Sequence, residues 1–252
     1  MLREENVNIH GPDGVIPGFL VMPAGERRGH AKAILLVQEA FGVNQWMREA
    51  ARRFAHEGYL VLVPEFFHRQ GSGLDIPYDD TERFMAAMAQ LTNDGMARDF
   101  AASFEFLRER FSADLHEVAV IGYCLGGYGA MLAATRFPIA TAISYYGGGM
   151  VNERPNFGLK PVAGDFKDIE CPVLLFYGAQ DAHIGADQRD AVAKELTRQH
   201  KTFELIAYEG AGHGFANSDR PSNFSERAAK EAWAKTFDWL AKLENRTLRA
   251  AG

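Results

Sequence analysis

Cysteines and long apolar runs are scarce in the sequence, and their scarcity excludes several classes of protein. Only two cysteines, Cys124 and Cys171, occur in 252 residues, so at most one disulfide can form, and no Cys–His spacing typical of a metal site is present. This usage predicts a reducing, cytoplasmic location. The polar N-terminus lacks the apolar stretch of a signal peptide, and no window approaches about 18 uninterrupted apolar residues, which predicts no membrane span.

Positively charged residues are also fewer than negatively charged ones: 27 Lys and Arg residues and 33 Asp and Glu residues give a formal net charge of −6. No block of Lys and Arg stands out, so the sequence predicts no nucleic-acid partner. Apolar residues, by contrast, make up 47% of the chain, which is enough for a sizeable core. The length fits one domain, and residues 1–252 are predicted to form it.

Short apolar runs alternate with longer helical patterns from Ala31 onward. The first run, "AKAILLVQEA", is typical of a buried strand, and the amphipathic helix pattern "NQWMREAARRFAHEG" follows it. The later predicted strands are "YLVLVP", "HEVAVIGYC", "IATAISYYG", "CPVLLFYGAQD" and "TFELIAYEGAGH". This alternation predicts a mostly parallel α/β sheet with helices on both faces, and the first segment, "NVNIHGPDGVIPGFLVMP", predicts an antiparallel edge. Ligands of such sheets bind at the carboxyl ends of the strands.

A glycine-rich turn follows the strand "HEVAVIGY" and has Cys124 at its centre. Gly122 and Gly126 stand two residues before and two after it, as in a nucleophile elbow, where the turn is too tight for neighbouring side chains. The helix that follows points its N-terminus at the sulfur and favours a thiolate. A buried, inert cysteine is the alternative, since free cysteines are often buried. The glycines favour the nucleophile, and their spacing fits neither a dinucleotide-binding fingerprint nor a P-loop.

Two further polar residues follow strands in the chain order that such an active site requires, namely nucleophile, acid and base. Asp181 follows the strand "CPVLLFYG" and His213 follows the last strand, so we predict them as acid and base. Asp181 taken alone could instead cap the next helix. Asp187 and Glu209 are weaker candidates for the acid, and His183 lies too close to Asp181 in the sequence to be the base.

Together these motifs resemble the dienelactone hydrolase (carboxymethylenebutenolidase) family of the α/β-hydrolase superfamily. The resemblance rests on "QEAFG" (38–42), "PEFFHRQG" (64–71), "GYCLGG" (122–127), "YYGGG" (145–149), "GAQD" (178–181) and "HGFAN" (213–217). It implies an α/β-hydrolase fold in which Cys124 attacks an ester or lactone carbonyl, His213 moves the proton and Asp181 orients His213. Neither a cofactor nor a metal is expected.

Three more residues receive roles from the same resemblance. Glu39 would hydrogen-bond the resting thiol and keep it neutral until the substrate enters, and a carboxylate among apolar residues needs some such partner. The backbone N–H groups of Ala40 and Leu125 would form the oxyanion hole. The aromatic residues expected to line the pocket are Phe41 and Tyr145, or Tyr146 in its place, with ordinary core packing as the alternative for the tyrosines.

The resemblance also implies an anionic substrate, because similar enzymes bind a carboxylate with arginines. Arg69 lies where one of these arginines is expected, and its planar guanidinium suits a carboxylate. The second is expected four residues past the catalytic histidine, but Asn217 stands there, with Arg220 nearby. The segment 148–170 is also longer than in the best-known members.

The sequence thus predicts a cofactor-free thiol hydrolase that opens a lactone or a small ester through a thioacyl enzyme. A general carboxylesterase acting on small esters is the nearest alternative. A non-enzymatic ligand sensor is an alternative of another class, which would leave the order of Cys124, Asp181 and His213 unexplained. A peroxide-sensing thiol is a further alternative, but it lacks an obvious resolving partner, because Cys171 lies at the beginning of another predicted strand. The expected partner is a small-molecule lactone or ester, with no nucleic acid and no membrane.

Overall fold

Eight strands and six α-helices form the part of the chain that the structure describes. The structure is a computed structural model that describes residues 1–25 and 32–250, with side chains to residue 245, so the predicted strand start at Ala31 lies outside the described residues. The strands are β1 (Leu2–Gly11), β2 (Gly14–Pro23), β3 (Ala33–Val37), β4 (Leu60–Pro64), β5 (Ala119–Tyr123), β6 (Thr141–Tyr145), β7 (Val173–Gly178) and β8 (Phe203–Tyr208). The helices are α1 (Gln45–His56), α2 (Thr81–Gln90), α3 (Asn93–Phe111), α4 (Leu125–Arg136), α5 (Ala186–Arg198) and α6 (Glu226–Ala250). None of these helices combines the length and the apolar character of a membrane span.

The described strands join in one sheet with the order β1-β2-β4-β3-β5-β6-β7-β8. Strands β3 to β8 run parallel, whereas β2 pairs antiparallel with both β1 and β4. The predicted mostly parallel sheet with an antiparallel N-terminal edge is therefore confirmed. A tight turn joins β1 to β2. Gly14 makes this turn possible, because its φ of 115° is one that residues with a side chain rarely adopt.

The strand order reverses at β3, which has β4 on one side and β5 on the other. An open α/β sheet has a crevice at such a point, outside the carboxyl ends of the strands, and ligands bind there. Val37 of β3 and Gly122 of β5 pair close to that end. The loop after β3 and the turn after β5 therefore meet at the crevice.

Different helices cover the two faces of the sheet, and β5 shows how the sequence sorts them. Gly122 packs closely against Gly126 of α4. The next residue, Tyr123, contacts Trp46 of α1 and Trp233 of α6, with ring centroids 4.8 and 6.2 Å apart. Successive side chains of a strand point to opposite faces, so α4 covers one face and α1 and α6 cover the other.

Candidate active site

Cys124 lies in the turn between β5 and α4, in a backbone conformation that few residues other than glycine adopt. Its φ is 55° and its ψ is −111°, and strain of this kind costs of order 1–3 kcal/mol. The surrounding structure holds the turn in place, because the N–H of Cys124 donates to the carbonyl of Tyr145 at 2.9 Å. The half-buried sulfur is thereby presented at the carboxyl end of the sheet.

The two glycines that flank this turn are required by backbone contacts. A Cβ atom on Gly122 would lie 2.0 Å from the carbonyl oxygen of Gly126. A Cβ atom on Gly126 would lie 2.1 Å from the carbonyl oxygen of Val37. Because both obstacles are backbone atoms of the sheet and of α4, a larger residue at either position would push these elements apart. The spacing read from the sequence therefore has the expected steric cause.

Cys124, His213 and Asp181 form a chain of hydrogen-bond contacts. The Sγ atom of Cys124 lies 3.2 Å from Nε2 of His213, and Nδ1 of His213 lies 2.8 Å from Oδ2 of Asp181. The other carboxylate oxygen of Asp181 accepts the backbone N–H groups of His183 and Ile184 at 2.8 and 3.1 Å, which fixes its orientation. Three strand ends, after β5, β7 and β8, thus bring together the residues predicted as nucleophile, acid and base.

Burial and hydrogen bonding set the charges of this arrangement. Burial lowers the pKa of His213, but the neighbouring Cys124 and the hydrogen bond to Asp181 outweigh it and raise that pKa to about 10. Burial also opposes ionisation of Asp181, but the contact with His213 holds the pKa of Asp181 below its usual value. The proton of His213 is therefore held more tightly than in an ordinary histidine, between the sulfur and the carboxylate of Asp181.

His183, the rival base, lies beside this chain of contacts without joining it. Its ring stands edge-on to that of His213, with centroids 5.3 Å apart. Burial and the positive charge of His213 lower the pKa of His183. Only the backbone of His183 bonds to Asp181. Its ring therefore lies in the wall of the site rather than in the proton path.

Two backbone N–H groups lie where an oxyanion hole is expected. Leu125 is the first residue of α4, and Ala40 belongs to the loop after β3. Both line the same cavity as Cys124. Within residues 1–25 and 32–250 neither N–H has a hydrogen-bond acceptor, as is usual at a helix start. The pair is therefore available to an oxygen that gains negative charge beside the sulfur.

Glu39 is fully buried, but it does not bond to the thiol, which corrects the contact expected for it. Its Oε1 accepts the hydroxyl of Tyr146 at 3.2 Å, and its Oε2 accepts the amide of Asn217 at 2.7 Å. Burial raises the pKa of Glu39, and the hydrogen bond from Asn217 opposes this rise. The hydrogen bonds of Glu39 thus join the loop after β3 to the residues that follow β6 and β8, while Cys124 bonds to His213.

A cavity of about 310 Å³ opens above Cys124 and His213. Phe41 lines it, as the sequence predicted. The other apolar side chains in its walls include Phe84, Met88, Phe157 and Leu159. A small, mostly apolar cavity of this size suits a small molecule.

One wall of the cavity belongs to the segment 148–162, which contributes no strand to the sheet. Several hydrogen bonds fasten this segment to the helices beside it, including two between the side chain of Asn93 and the backbone of Lys160. The N–H of Gly158 donates to the carbonyl of Met88 at 3.1 Å, and the hydroxyl of Tyr128 donates to the carbonyl of Lys160 at 2.6 Å. Residues 148–162 of the long segment 148–170 noted in the sequence therefore pack against α2 and α4 beside the cavity.

Arg69 lies outside the cavity, which corrects the substrate-binding role expected for it. Its Nη1 and Nη2 donate to the two carboxylate oxygens of Asp99 at 2.8 and 2.7 Å, and Nη2 also donates to Asp13 at 2.6 Å. Asp99 is buried and is contacted by His68 as well, at 3.1 Å. The guanidinium is therefore already occupied by two carboxylates of the chain itself.

Tyr145 and Tyr146 lie in the core instead of the cavity wall, so the substrate contact expected for Tyr145 is also corrected. The hydroxyl of Tyr145 points toward α6, where it lies 2.7 Å from Oγ1 of Thr236 and donates to the carbonyl of Ala232 at 3.2 Å. The hydroxyl of Tyr146 is used by Glu39. Both residues are packed in the core, which was the alternative expected for them.

Two arginines do line the cavity. The Cζ atom of Arg220 lies 5.3 Å from the ring centroid of Phe41 and 5.2 Å from that of Tyr78. Arg154, on the segment 148–162, donates from Nη2 to the carbonyl of His183 at 3.1 Å. No carboxylate of the described residues forms a salt bridge with either one. The sequence indicated Arg220 only by its nearness to Asn217 and gave no signal for Arg154.

The chain is similar to known proteins over most of its length. A family model described as the dienelactone hydrolase family matches residues 16–244. A carboxymethylenebutenolidase from Pseudomonas putida is 30% identical over 246 residues, which cover 96% of this chain and 98% of that protein. A Salmonella typhimurium protein assigned as a carboxymethylenebutenolidase is 30% identical over 251 residues, 93% of this chain and 90% of that protein. The crystal structure of a Klebsiella pneumoniae protein assigned as a dienelactone hydrolase has a TM-score of 0.86 at 27% identity, over 96% of this chain and 99% of that chain.

Proposed function

The chain belongs to the dienelactone hydrolase family, and from that premise we propose that it opens a lactone or a small ester by nucleophilic attack of Cys124. It is a hydrolase of carboxylic ester or lactone bonds. The observation that carries the proposal is the position of His213, 3.2 Å from the sulfur of Cys124 and 2.8 Å from the carboxylate of Asp181. A sulfur, an imidazole and a carboxylate in this order are the parts that thiol acyl transfer requires.

In the first half of the reaction the Cys124 thiolate attacks the carbonyl carbon, and the carbonyl oxygen becomes an oxyanion. The N–H groups of Ala40 and Leu125 stabilise it, because they need no rearrangement to donate. The carbon–oxygen ester bond then breaks, and His213 gives its proton to the departing oxygen. A thioacyl enzyme remains, and when the substrate is a lactone the new hydroxyl stays attached to the acyl group.

In the second half, neutral His213 accepts a proton from water as the water attacks the thioester carbonyl. A second oxyanion forms at the same two N–H groups and collapses, the carbon–sulfur bond breaks, and the acid leaves. The thiolate and the protonated His213 are restored. Asp181 stabilises the imidazolium throughout, because its carboxylate remains bonded to Nδ1.

The substrate of this reaction carries a negatively charged group beside the bond that is cleaved. Two features support this: Arg154 and Arg220 line the cavity, and neither forms a salt bridge with a carboxylate of the described chain. A guanidinium without a salt bridge to the protein is suited to bind a carboxylate of the substrate. A neutral ester would leave both guanidinium groups unpaired, which favours the lactone hydrolase over the general carboxylesterase.

Turnover of a dienelactone, followed by the loss of its ultraviolet absorbance, tests the proposal. Cys124→Ala should reduce kcat at least about 10⁴-fold, because a nucleophile acts as a unit with its base. Cys171→Ala is the matched control, since Cys171 is buried in the core and should leave kcat unchanged. Residual activity of Cys124→Ala close to wild type would refute the nucleophile. Turnover of neutral esters alone would identify the carboxylesterase.

The pH dependence of alkylation tests the proton on His213. Because the pKa of His213 is raised to about 10, the imidazolium is present below that pH and is lost above it. At pH 7 iodoacetamide should therefore inactivate the wild type several-fold faster than Asp181→Asn, which lacks the charge that stabilises the imidazolium. The difference should become smaller toward pH 9, because an ordinary thiol becomes several-fold more reactive over that range.

A further inference from the structure

The hydroxyl of Tyr78 has an unusual set of hydrogen bonds. Tyr78 is half-buried and lines the cavity. Its oxygen accepts the side-chain amide N–H of Asn44 at 3.0 Å and that of Asn217 at 3.0 Å. A phenol oxygen has two lone pairs and one proton. Both lone pairs are therefore engaged by amides of the protein.

The direction of these two hydrogen bonds is fixed by the backbone. The Oδ1 atom of Asn44 accepts the N–H of Met47, because Asn44 caps α1. The Oδ1 atom of Asn217 accepts the N–H of Asp219 at 2.9 Å. Each amide must therefore turn its NH₂ group toward Tyr78. A reversed amide would instead place its NH₂ group against the backbone N–H of Met47 or of Asp219, which can only donate.

The hydroxyl proton of Tyr78 is consequently without an acceptor among the described side chains and backbone groups. Burial raises the pKa of Tyr78, so the proton stays on the oxygen. Arg220 lies over the ring of the same tyrosine, 5.2 Å from its centroid. A hydrogen-bond donor and a cation without a carboxylate partner thus stand together on one side of the cavity.

We propose that Tyr78 is a substrate-binding residue whose hydroxyl donates to a carboxylate oxygen of the substrate beside Arg220, and that Asn44 and Asn217 are the positioning residues that aim this proton. The inference rests on the proposed lactone hydrolase activity and names a residue that selects its substrate. It also gives Asn217 a role: the residue does not replace a carboxylate-binding arginine but links Glu39 to Tyr78. A fixed donor binds better than a rotating one, because less freedom is lost on binding.

The test uses two five-membered lactones of matched shape. The first, 5-oxotetrahydrofuran-2-carboxylate, is called the acidic lactone here, and γ-valerolactone has a methyl group in place of its carboxylate. Tyr78→Phe removes one hydroxyl and should raise KM for the acidic lactone at least about tenfold, since a hydrogen bond to a charged group is lost. We expect kcat to change less than threefold and KM for γ-valerolactone less than twofold. Tyr59→Phe, which removes a hydroxyl bonded to Glu244 on another surface, is the control.

A second variant moves the proton without removing the hydroxyl. Asn44→Asp still caps α1, because Asp is as good an N-cap as Asn. Its second carboxylate oxygen, however, accepts the proton of Tyr78 where the amide donated. Asn44→Asp should therefore raise KM for the acidic lactone about as much as Tyr78→Phe does. In the Tyr78→Phe background the same change should add less than twofold, whereas simple repulsion by the new charge would add its full effect.

Binding measured in Cys124→Ala protein separates this inference from the proposed activity. Calorimetric titration with each lactone gives a Kd that does not depend on turnover. A tenfold weaker Kd for the acidic lactone in Tyr78→Phe, with γ-valerolactone unchanged, supports the role of Tyr78 even if the wild type turns over neither lactone and the proposed activity is wrong. Equal weakening of both lactones, no weakening of either, or no preference of the parent protein for the acidic lactone would each overturn it.

Discussion

Arg69 and Arg220 both lie near the carboxyl ends of strands, but only Arg69 has carboxylates of the protein beside its guanidinium. Arg69 bonds to the carboxylates of Asp99 and Asp13. Arg220 rests on the rings of Phe41 and Tyr78 and has no salt bridge within the described chain. A paired arginine stabilises the fold, whereas one that keeps its charge toward a cavity is available to a ligand. The difference lies in the neighbouring carboxylates.

Removing Arg69 should have the largest effect, and the effect should be on stability alone. Arg69→Ala leaves Asp99 buried with His68 as its remaining partner, so the free energy of unfolding should fall by about 3 kcal/mol. Urea unfolding measures this. Arg98→Ala, which removes an exposed pairing to Asp13, should cost less than about 1 kcal/mol. A tenfold rise in KM for the acidic lactone in Arg69→Ala would break the comparison.

Removing Arg220 should weaken substrate binding more than stability, and the change in the free energy of unfolding should be smaller than that for Arg69. Arg220→Gln should raise KM for the acidic lactone about tenfold or more, because a charge-assisted hydrogen bond is lost. Its free energy of unfolding should fall by about 1 kcal/mol, because the contacts of a cation with two aromatic rings and its attraction for the buried Glu39 are lost. Steady-state kinetics and urea unfolding of the same preparation give both values. Arg220→Lys sharpens the result, because it keeps the charge without the planar fork.

Arg154 should show the smallest effect of the three. One of its terminal nitrogens already donates to the carbonyl of His183, so fewer donors remain for a ligand. Arg154→Gln should raise KM for the acidic lactone about threefold, close to the value of an exposed ion pair. Competition by a simple dicarboxylate such as succinate provides a second readout. An effect of Arg154→Gln larger than that of Arg220→Gln would assign the carboxylate to the wall formed by the segment 148–162.

The proximity of Cys124, Asp181 and His213 could be predicted, because each of them follows a strand of the sheet. Gly122 and Gly126 identify the strained turn, and parallel strands bring their carboxyl ends together whatever the rest of the chain does. Asp181 and His213 each follow such a strand. The fold class followed from the same alternation of apolar runs and helical patterns. These signals lie within a few residues of the positions that they describe.

The roles of Arg69 and Tyr145 could not be predicted, because they depend on contacts between distant parts of the chain. Arg69 meets carboxylates 30 and 56 residues away, and nothing in its own surroundings in the sequence names them. Tyr145 is the last residue of β6, and Tyr146 follows it. The sequence does not show which of these two adjacent rings faces the cavity and which faces the core. Arg154 lies in a segment without a strand, so the expectation that ligands bind at the carboxyl ends of strands could not identify it.

The segment 148–162 supplies a wall of the cavity without supplying a strand, so this wall and the group of Cys124, His213 and Asp181 are held by different parts of the fold. Hydrogen bonds at Gly158 and Lys160 fasten it to neighbouring helices, while Cys124, His213 and Asp181 are held by the sheet. We therefore expect variation in this segment to change the shape and charge of the cavity while leaving Cys124, His213 and Asp181 in place. For protein engineering, residues 148–162 are the segment in which a library can vary the cavity wall without altering those three residues.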